Sequence, residues 1–152
     1  MIFSLFRSNS IFKSDLYNER TFYKQFLKDI SQAKRFIQIE SPFITSHRIE
    51  LFMSIFQRLL NKGIRIKIIT RDPVEHDELA RHQSTNEILL CMDLGIEVVL
   101  MKGGHHRKIA IIDEDILWEG SLNILSQTRS KELMRRINSR SEVSRMMNFL
   151  GS

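Results

Sequence analysis

The chain has 152 residues, of which 42% are hydrophobic and 27% are charged. These proportions are typical of a soluble globular domain, and the length is sufficient for one hydrophobic core without disulfides or structural metals. No segment contains the roughly 20 consecutive apolar residues that span a bilayer, so we expect no stable membrane insertion. The formal net charge of +5 is unevenly distributed along the chain.

The single cysteine, Cys91, lies in an apolar run and has no partner in the chain. We interpret it as a small buried side chain in a reducing compartment, and we expect the protein in the cytoplasm. Residues 1–15 contain an apolar run that Arg7 interrupts, without a positive leader or a cleavage pattern. We interpret them as an N-terminal extension rather than a signal peptide, and we expect the folded domain over residues 16–152.

The first half of the chain alternates helical and extended patterns. Apolar residues recur at helical spacing over residues 16–33 and predict an amphipathic first helix. Residues 36–40 predict a short strand that ends before Pro42, because proline cannot donate to a strand ladder. A second helix is predicted over residues 47–60, with Ser46 as its cap.

The second half continues the alternation. Residues 64–70 and 96–101 predict strands, and residues 86–94 predict a helix between them. The polar segment 74–83 predicts a mobile loop, and the residues after Lys131 predict one or two helices. This order, with a strand hairpin before the last helices, predicts a three-layer αβα sandwich with a mixed β-sheet.

The predicted hairpin within residues 103–123 carries polar residues at one end. Side chains alternate between faces along a strand, so His106 and Lys108 share one face, and Ser121 and Asn123 share a face after the turn. Pairing the two strands brings these four side chains together. An imidazole, an ammonium, a hydroxyl and an amide are suited to holding a phosphate, which is the function that we predict for this stretch.

Most of the excess positive charge follows this hairpin. Residues 124–152 contain six Lys and Arg residues and two Glu residues. Cations beside a phosphate site favour a polyanionic substrate such as nucleic acid, although a solvated helix face is the alternative interpretation. The candidate nucleic-acid contacts are Arg107, Arg129, Lys131, Arg135 and Arg136.

The spacing of the polar residues resembles a known signature. His106-x-Lys108, four residues, Asp113, and then Gly120-Ser121-x-Asn123 resembles the HKD motif of the phospholipase D superfamily. The order of helices and strands from about residue 16 onward is also similar to that superfamily. The resemblance implies a phospholipase D-like half-domain that acts as a phosphodiesterase.

Within the superfamily, the chain is most similar to the short bacterial nucleases, which carry one motif per chain. The run over residues 117–137 also resembles modules attached to helicase-type ATPases, which makes such an ATPase a candidate partner. The chain itself lacks the phosphate-cradling ATPase motif, because Gly103-Gly104 is not followed by the Lys-Ser/Thr pattern.

The resemblance implies a metal-independent mechanism without a cofactor. In the superfamily, one histidine attacks phosphorus to form a covalent phosphohistidine, a second histidine protonates the leaving oxygen, and water resolves the intermediate. Imidazole suits both roles because it titrates near neutrality. The resemblance assigns His106 to this chemistry, and Lys108, Asn123 and Ser121 to the non-bridging oxygens.

One chain offers only one histidine with this motif. His105 points to the opposite face of an extended chain, and His47, His76 and His82 lack the accompanying residues. A symmetric homodimer through the active-site face supplies a second His106, as in single-motif members of the superfamily.

Two acids complete the predicted site. Asp113 lies on the strand face opposite His106, so we interpret it as an orienting or structural acid that bonds backbone N–H groups. Glu132 matches a superfamily acid that hydrogen-bonds the histidine ring. The cluster of His76, Asp77, Glu78 and His82 lacks zinc-protease spacing, and no metal site is predicted.

The leading hypothesis is a nuclease on DNA, or on RNA, with nucleic acid and a second copy of the chain as partners. Two alternatives stay open. One is a phospholipid or cardiolipin hydrolase, and the other is a weakly active module that binds nucleic acid or dimerises beside an ATPase.

Overall fold

A computed structural model describes residues 13–126 and 129–151. Within this part of the chain, seven strands form one sheet: β1 (Lys13–Asn18), β2 (Phe36–Glu40), β3 (Arg65–Arg71), β4 (Glu97–Met101), β5 (Ile109–Ile112), β6 (Ile116–Gly120) and β7 (Leu133–Asn138). Four α-helices accompany it: α1 (Phe22–Ser31), α2 (Ser46–Asn61), α3 (Glu78–Leu94) and α4 (Arg140–Leu150).

The sheet is mixed, with the strand order β1-β7-β6-β5-β2-β3-β4. Strands β2, β3 and β4 are parallel, and every other pairing is antiparallel. The parallel half is built from the predicted strand–helix alternation, whereas the β5–β6 hairpin reverses direction. The α/β fold with a mixed sheet is therefore confirmed.

Both faces of the sheet are covered by helices. On one face, apolar side chains of α1, α2 and α3 pack against alternate residues of the strands, with Trp118 and a group of stacked phenylalanines fully buried. Cys91 is buried in this layer, as predicted. On the other face, α4 packs through Val143 against Ile111 and Leu117. The two faces of β5 thus contribute to different cores.

The first helix begins later than predicted. Leu16 lies in β1, which pairs with β7, and α1 begins only at Phe22. The carboxamide of Asn18 accepts hydrogen bonds from the amides of Arg20 and Thr21, which turns the chain between the strand and the helix. The predicted second helix is confirmed, but Ser46 is its first residue rather than its cap.

The predicted loop over residues 74–83 is wrong. A 3-10 turn occupies Pro73–Glu75, and α3 begins at Glu78 because the Asp77 carboxylate accepts a hydrogen bond from the amide of Ala80 at 2.9 Å. Many side chains of α3 are exposed. Its first turns therefore lack the apolar stripe from which a helix is predicted.

The prediction of helices alone after Lys131 is also wrong. Residues Leu133–Asn138 form β7, which inserts between β1 and β6, and only α4 is helical. Met134 is fully buried against one core and Ile137 against the other, as expected of a central strand. The Ser139 hydroxyl caps α4 by accepting a hydrogen bond from the Glu142 amide.

Candidate active site

The polar residues of the motif meet at one edge of the sheet. The residue pairs Glu40–Ile109, Ile109–Glu119 and Gly120–Met134 lie opposite each other. The carboxyl ends of β2 and β6 therefore adjoin the amino ends of β5 and β7. This arrangement brings the segments around His106, Ser121 and Glu132 to the same edge.

His106 and Lys108 precede β5 and contact each other directly. The Lys108 Nζ donates a hydrogen bond to the His106 carbonyl oxygen at 2.8 Å and also lies 2.8 Å from the His106 Nδ1. Burial lowers the pKa of Lys108, and the negative charge of Glu132 opposes this shift. The Lys108 ammonium therefore contacts the His106 imidazole, and the Glu132 carboxylate is near enough for its negative charge to affect Lys108.

An open cleft of about 450 Å³ lies beside this pair. Its walls are residues 106–109, which lead into β5, and residues 119–121 at the end of β6. His106 and Arg107 are exposed, and Lys108 is partly buried. The cleft thus combines an imidazole, two cations and the Ser121 hydroxyl, which are groups that can hold and attack a phosphodiester.

Ser121 is held by its neighbours in β7. Its Oγ accepts a hydrogen bond from the Leu133 amide at 3.0 Å and donates one to the Glu132 carboxylate. The backbone amide of Ser121 donates to the Leu133 carbonyl at 2.9 Å. Glu132 therefore orients Ser121, and its predicted hydrogen bond to the histidine ring stays a prediction.

Gly120 makes this close approach possible. A Cβ atom at this position would lie 2.1 Å from the Leu133 carbonyl oxygen, which is far below any real contact. Only glycine fits between β6 and β7 at the point where Ser121 leaves the sheet. This steric reason explains the glycine of the Gly-Ser-x-Asn motif in this chain.

Asn123 lies at the side of the cleft rather than in its walls. Its carbonyl and that of Ile124 face the hydroxyl of Tyr23, which donates to Ile124 at 3.0 Å, and the Ser41 Oγ accepts from the Leu125 amide at 3.2 Å. Among the described residues, the Asn123 Oδ1 is buried without a hydrogen-bond partner. The loop over residues 123–125 is thus held by Tyr23 and by Ser41, while the Asn123 Oδ1 accepts no hydrogen bond from the described residues.

A stacked pair supports the same loop. The Arg48 guanidinium lies 3.7 Å from the centroid of the Tyr23 ring, which is a close cation–π contact. Burial raises the pKa of Tyr23 above its usual range, although the positive charge of Arg48 opposes this effect. The Tyr23 hydroxyl consequently stays protonated at neutral pH and donates its hydrogen bond to the loop.

Asp113 lies at the opposite end of β5. Its carboxylate accepts hydrogen bonds from the backbone amides of Lys34, Arg35 and Phe36 at 2.8–3.0 Å. The predicted bonding of Asp113 to backbone N–H groups is therefore observed. Because the whole of β5 separates it from His106, its position is that of a structural acid rather than a catalytic one.

The candidate nucleic-acid contacts differ in whether their side chains are exposed or already paired within the fold. Arg107, Arg129 and Lys131 are exposed, and Arg107 lines the cleft. Arg136 is instead used inside the fold, where its guanidinium donates two hydrogen bonds to the Asp29 carboxylate at 2.7 and 2.9 Å. The Arg136 guanidinium is therefore already paired within the fold, and its predicted contact with nucleic acid stays a prediction. The Arg135 guanidinium, although exposed, donates to the Ser14 hydroxyl at 2.7 Å.

The motif assigned no function to one buried pair beside the site. The His105 Nε2 lies 3.4 Å from the Glu40 Oε2, and the two side chains are only 6% and 3% exposed. Burial is the main cause that lowers the pKa of His105 and raises that of Glu40, so both shift towards their neutral forms. His105 points away from the cleft, as its position in an extended chain predicts.

The Glu75 side chain holds the turn before the two histidines, a role that the sequence did not indicate. The Glu75 carboxylate accepts hydrogen bonds from the amides of Gly103 and Gly104 at 2.7 and 3.3 Å and pairs with Arg71 at 3.0 Å. The hydrogen bond from Gly103, followed by that from Arg71, lowers the pKa of Glu75. Both glycines have positive φ, which favours glycine at this turn before the two histidines.

Residues 13–126 and 129–151 contain no group of three or more His, Cys, Asp or Glu side chains arranged to hold a metal ion. Over the same ranges, no helix has the length and apolar character needed to cross a bilayer.

The chain matches a family model and solved structures. The family model described as cardiolipin synthase, PLD-like domain, matches residues 26–150. A comparison with curated protein sequences finds no match.

Solved structures similar to this chain include NucT from Helicobacter pylori, with 21% identity, a TM-score of 0.72 and coverage of 91% of this chain and 92% of that chain. Nuc from Salmonella typhimurium, a phospholipase D family member, has 18% identity, a TM-score of 0.71 and coverage of 91% of each chain. Phosphatidylserine synthase from Haemophilus influenzae has 17% identity and a TM-score of 0.69, and covers 90% of this chain but 38% of that chain.

Proposed function

Because the chain belongs to the family of phospholipase D-like domains, whose superfamily consists of phosphodiesterases, we propose that it hydrolyses phosphodiester bonds in nucleic acid through a phosphohistidine. The observation that carries the proposal is the position of His106. Its ring is exposed in an open cleft, with the Lys108 ammonium 2.8 Å from its Nδ1 and the Ser121 hydroxyl across the cleft.

In the proposed reaction, a neutral His106 ring attacks phosphorus and the bond to the leaving oxygen breaks. Lys108 neutralises the charge that develops on the non-bridging oxygens, which are also hydrogen-bonded by Ser121 and Asn123. A second histidine donates a proton to the leaving oxygen and then removes one from the attacking water, which breaks the bond between phosphorus and His106 and restores the neutral ring. Two displacements at phosphorus replace one, and each has a lower barrier.

The second histidine comes, in this proposal, from a second copy of the chain. His105 is buried against Glu40, and no other histidine side chain lines the catalytic cleft in the described residues. Large apolar side chains are exposed near this edge of the sheet: Val74, Met101 and Leu133. Exposed apolar groups around a half-built site support a symmetric interface through the active-site face.

Charge and size support nucleic acid as the substrate. Arg107, Arg129 and Lys131 are exposed and attract a polyanion. The match covers nearly all of Nuc and NucT but 38% of the phosphatidylserine synthase chain. A further structural match is TrmBL2, an archaeal chromatin protein with a novel mode of DNA binding, which has 12% identity, a TM-score of 0.61 and coverage of 94% of this chain and 52% of that chain. A metal is not required in this scheme, because Lys108 supplies the positive charge.

A phospholipid hydrolase is the second candidate function. The matching family model is described as a cardiolipin synthase domain, and a phosphatidylserine synthase shares the fold. The diester chemistry is the same for nucleic acid and for phospholipid. The two functions are therefore distinguished by which substrate the chain cleaves. A helicase-type ATPase partner stays a sequence-based prediction.

The test is cleavage of single- and double-stranded DNA and RNA in the presence of EDTA, with cardiolipin vesicles as a parallel substrate. We expect hydrolysis of nucleic acid that survives EDTA. The His106→Ala variant should lose roughly 10⁴-fold or more in kcat, as expected when a covalent nucleophile is removed. His82→Ala, at an exposed position on α3, is the matched control and should keep full activity.

Three outcomes contradict parts of the proposal. Activity that disappears with EDTA contradicts the metal-independent mechanism, and full activity in a purely monomeric protein contradicts the shared site. If the chain binds DNA but cuts neither nucleic acid nor lipid, it is a binding module instead.

A further inference from the structure

The segment that carries His106 lies outside the paired part of the sheet. Strand β5 begins at Ile109, which lies opposite Glu40, the last residue of β2. Within the described part of the chain, no backbone–backbone hydrogen bond joins residues 103–107 to another segment. The backbone around the proposed nucleophile is therefore held by side chains rather than by strand pairing.

Two acidic side chains from neighbouring strands contact this segment. The Glu75 carboxylate, in the turn after β3, accepts hydrogen bonds from the amides of residues 103 and 104 at 2.7 and 3.3 Å. The Glu40 carboxylate, at the end of β2, lies with its Oε2 3.4 Å from the Nε2 of His105. The segment is thus held up to the residue that precedes the nucleophile.

The contact between Glu40 and His105 is enclosed by protein. The two side chains are 3% and 6% exposed, and within the described residues neither contacting atom has a hydrogen-bond partner. Hydrogen bonds around catalytic groups are often long in a free enzyme and shorten when the substrate is bound. At 3.4 Å, the Nε2 and the Oε2 need only a small approach to form a full hydrogen bond.

The direction of the His105 ring determines that of the His106 ring. Consecutive side chains of an extended segment point to opposite faces. Ile39 is buried in the core that α1, α2 and α3 cover, so the next residue, Glu40, points to the face that α4 covers. With His105 against Glu40 on that face, the His106 ring is directed to the other side, where it contacts Lys108.

We propose that Glu40 and His105 are positioning residues, whose contact holds residues 103–107 so that the His106 ring faces the bound phosphodiester. The inference rests on the proposed function and adds two residues that the motif does not contain. A buried ion pair is weak evidence of stability, because well-packed apolar side chains of similar volume are often at least as stable. The place of this pair, directly beside the proposed nucleophile, therefore points to a role in geometry.

The Glu40 carboxylate also acts on Arg107, which lines the cleft. Burial is the main cause that raises the pKa of Glu40, and the positive charge of Arg107 opposes this shift. Arg107 is a candidate contact for the substrate, so an effect transmitted through it changes KM. An effect on the position of His106 instead changes kcat, because the nucleophile reacts only after the substrate has bound.

The test measures kcat and KM with bis(p-nitrophenyl) phosphate, a small phosphodiester, and with a single-stranded DNA oligonucleotide. Glu40→Ala should lower kcat about 10²-fold, the cost of misplacing a reacting group by about 1 Å, with KM nearly unchanged. His105→Ala should give the same loss, and the double variant should lose no more than either single one, because both side chains act through one contact. Glu40→Gln keeps an oxygen that can accept from the His105 ring and should retain most of kcat.

The ring nitrogen signals of His106 in NMR spectra report its position without turnover. They are assigned by their absence in His106→Ala. We expect them to shift and broaden in Glu40→Ala and in His105→Ala, because the ring then samples more than one orientation, and to stay in place in Glu40→Gln. The signals of His82, which is exposed on α3, should be the same in every variant.

Asp29→Ala is the matched control. Asp29 is also a buried carboxylate, 3% exposed and paired with Arg136, but it lines a cavity at the opposite end of β5 together with Asp113. This variant should lose thermal stability, while the kcat of the folded enzyme and the His106 signals stay as in the parent.

Three results overturn the positioning role. Unchanged kcat in both Glu40→Ala and His105→Ala, with a loss of stability alone, leaves a structural pair. A rise in KM at constant kcat assigns the effect to Arg107. An equal loss of kcat in Glu40→Gln and in Glu40→Ala contradicts the contact, since the amide preserves it.

The outcomes also separate this inference from the proposed function. If the parent cleaves both diesters and Glu40→Ala cleaves them equally well, the positioning role is wrong while the proposed function stands. If the parent cleaves neither, the proposed function fails and the ring signals decide: movement in Glu40→Ala but not in Glu40→Gln supports the positioning role, and unmoved signals overturn it. If Glu40→Ala does not fold, His105→Ala tests the same contact from the other side.

Discussion

The two ends of strand β5 are used in opposite ways. At its carboxyl end, the Asp113 carboxylate accepts hydrogen bonds from three consecutive backbone amides that lead into β2. At its amino end, the exposed His106 ring contacts the Lys108 ammonium beside an open cleft. One end of the strand joins two parts of the fold, and the other keeps its polar groups available.

The same contrast holds for buried polar atoms. Asp29 is 3% exposed, and its carboxylate accepts hydrogen bonds from Gln25, Trp118 and Arg136. Buried side-chain atoms that lack a hydrogen-bond partner in the described part of the chain belong to Glu40, Arg48, His76, His105 and Asn123. Because buried polar groups are normally hydrogen-bonded, these atoms contrast with the Asp29 carboxylate.

After the loss expected for His106→Ala, the largest effect is expected at Lys108. Lys108→Ala removes the cation that offsets charge on the phosphate oxygens, and we expect kcat to fall about 10²–10³-fold, as when one preorganised charge-stabilising group is lost. The melting temperature should change little, since the hydrogen bonds of Lys108 within the described residues go to His106 in the segment before β5. Steady-state cleavage and thermal melting measure the two effects. Lys62→Ala, at the end of α2, is the control, and equal losses in both variants would contradict the assignment.

Asp113 should show the reverse pattern. Asp113→Ala leaves three backbone amides without their acceptor, and we expect it to lower the free energy of unfolding by about 2 kcal/mol. The kcat of the folded enzyme should stay near that of the parent. Urea unfolding measures the stability, with Glu114→Ala, which removes only an exposed ion pair to Arg35, as control. A large loss of kcat without a loss of stability would place Asp113 in the reaction.

The smallest effect is expected at Tyr23, which supports the loop that carries Asn123. Tyr23→Phe removes the hydrogen bond to the Ile124 carbonyl but keeps the ring beneath Arg48. We expect a loss of about 1 kcal/mol in unfolding free energy. If the bond positions Asn123, kcat should also fall while KM changes little. Unchanged kcat would limit Tyr23 to a structural role.

Local patterns were sufficient for much of the fold. Strand β2, helix α2 and the β5–β6 hairpin follow from periodicity and from turn residues, and the superfamily prediction is confirmed. The grouping of His106, Lys108 and Ser121 also follows from their spacing around a hairpin. These features depend on residues that are close in the sequence, which a pattern search can compare directly.

The remaining features depend on contacts between distant segments. Residues 133–138 look helical in isolation but form β7, because the positions beside β1 and β6 satisfy their backbone groups on both sides. Arg136 belongs to the charged tail in sequence, yet Asp29 binds it from a helix more than 100 residues away. Likewise, Glu75 reaches the turn before His106 only through folding. The sequence determined which groups form the predicted site, whereas the tertiary structure decided which charged side chains are paired within the fold, because partners such as Asp29 and Arg136 come from distant segments.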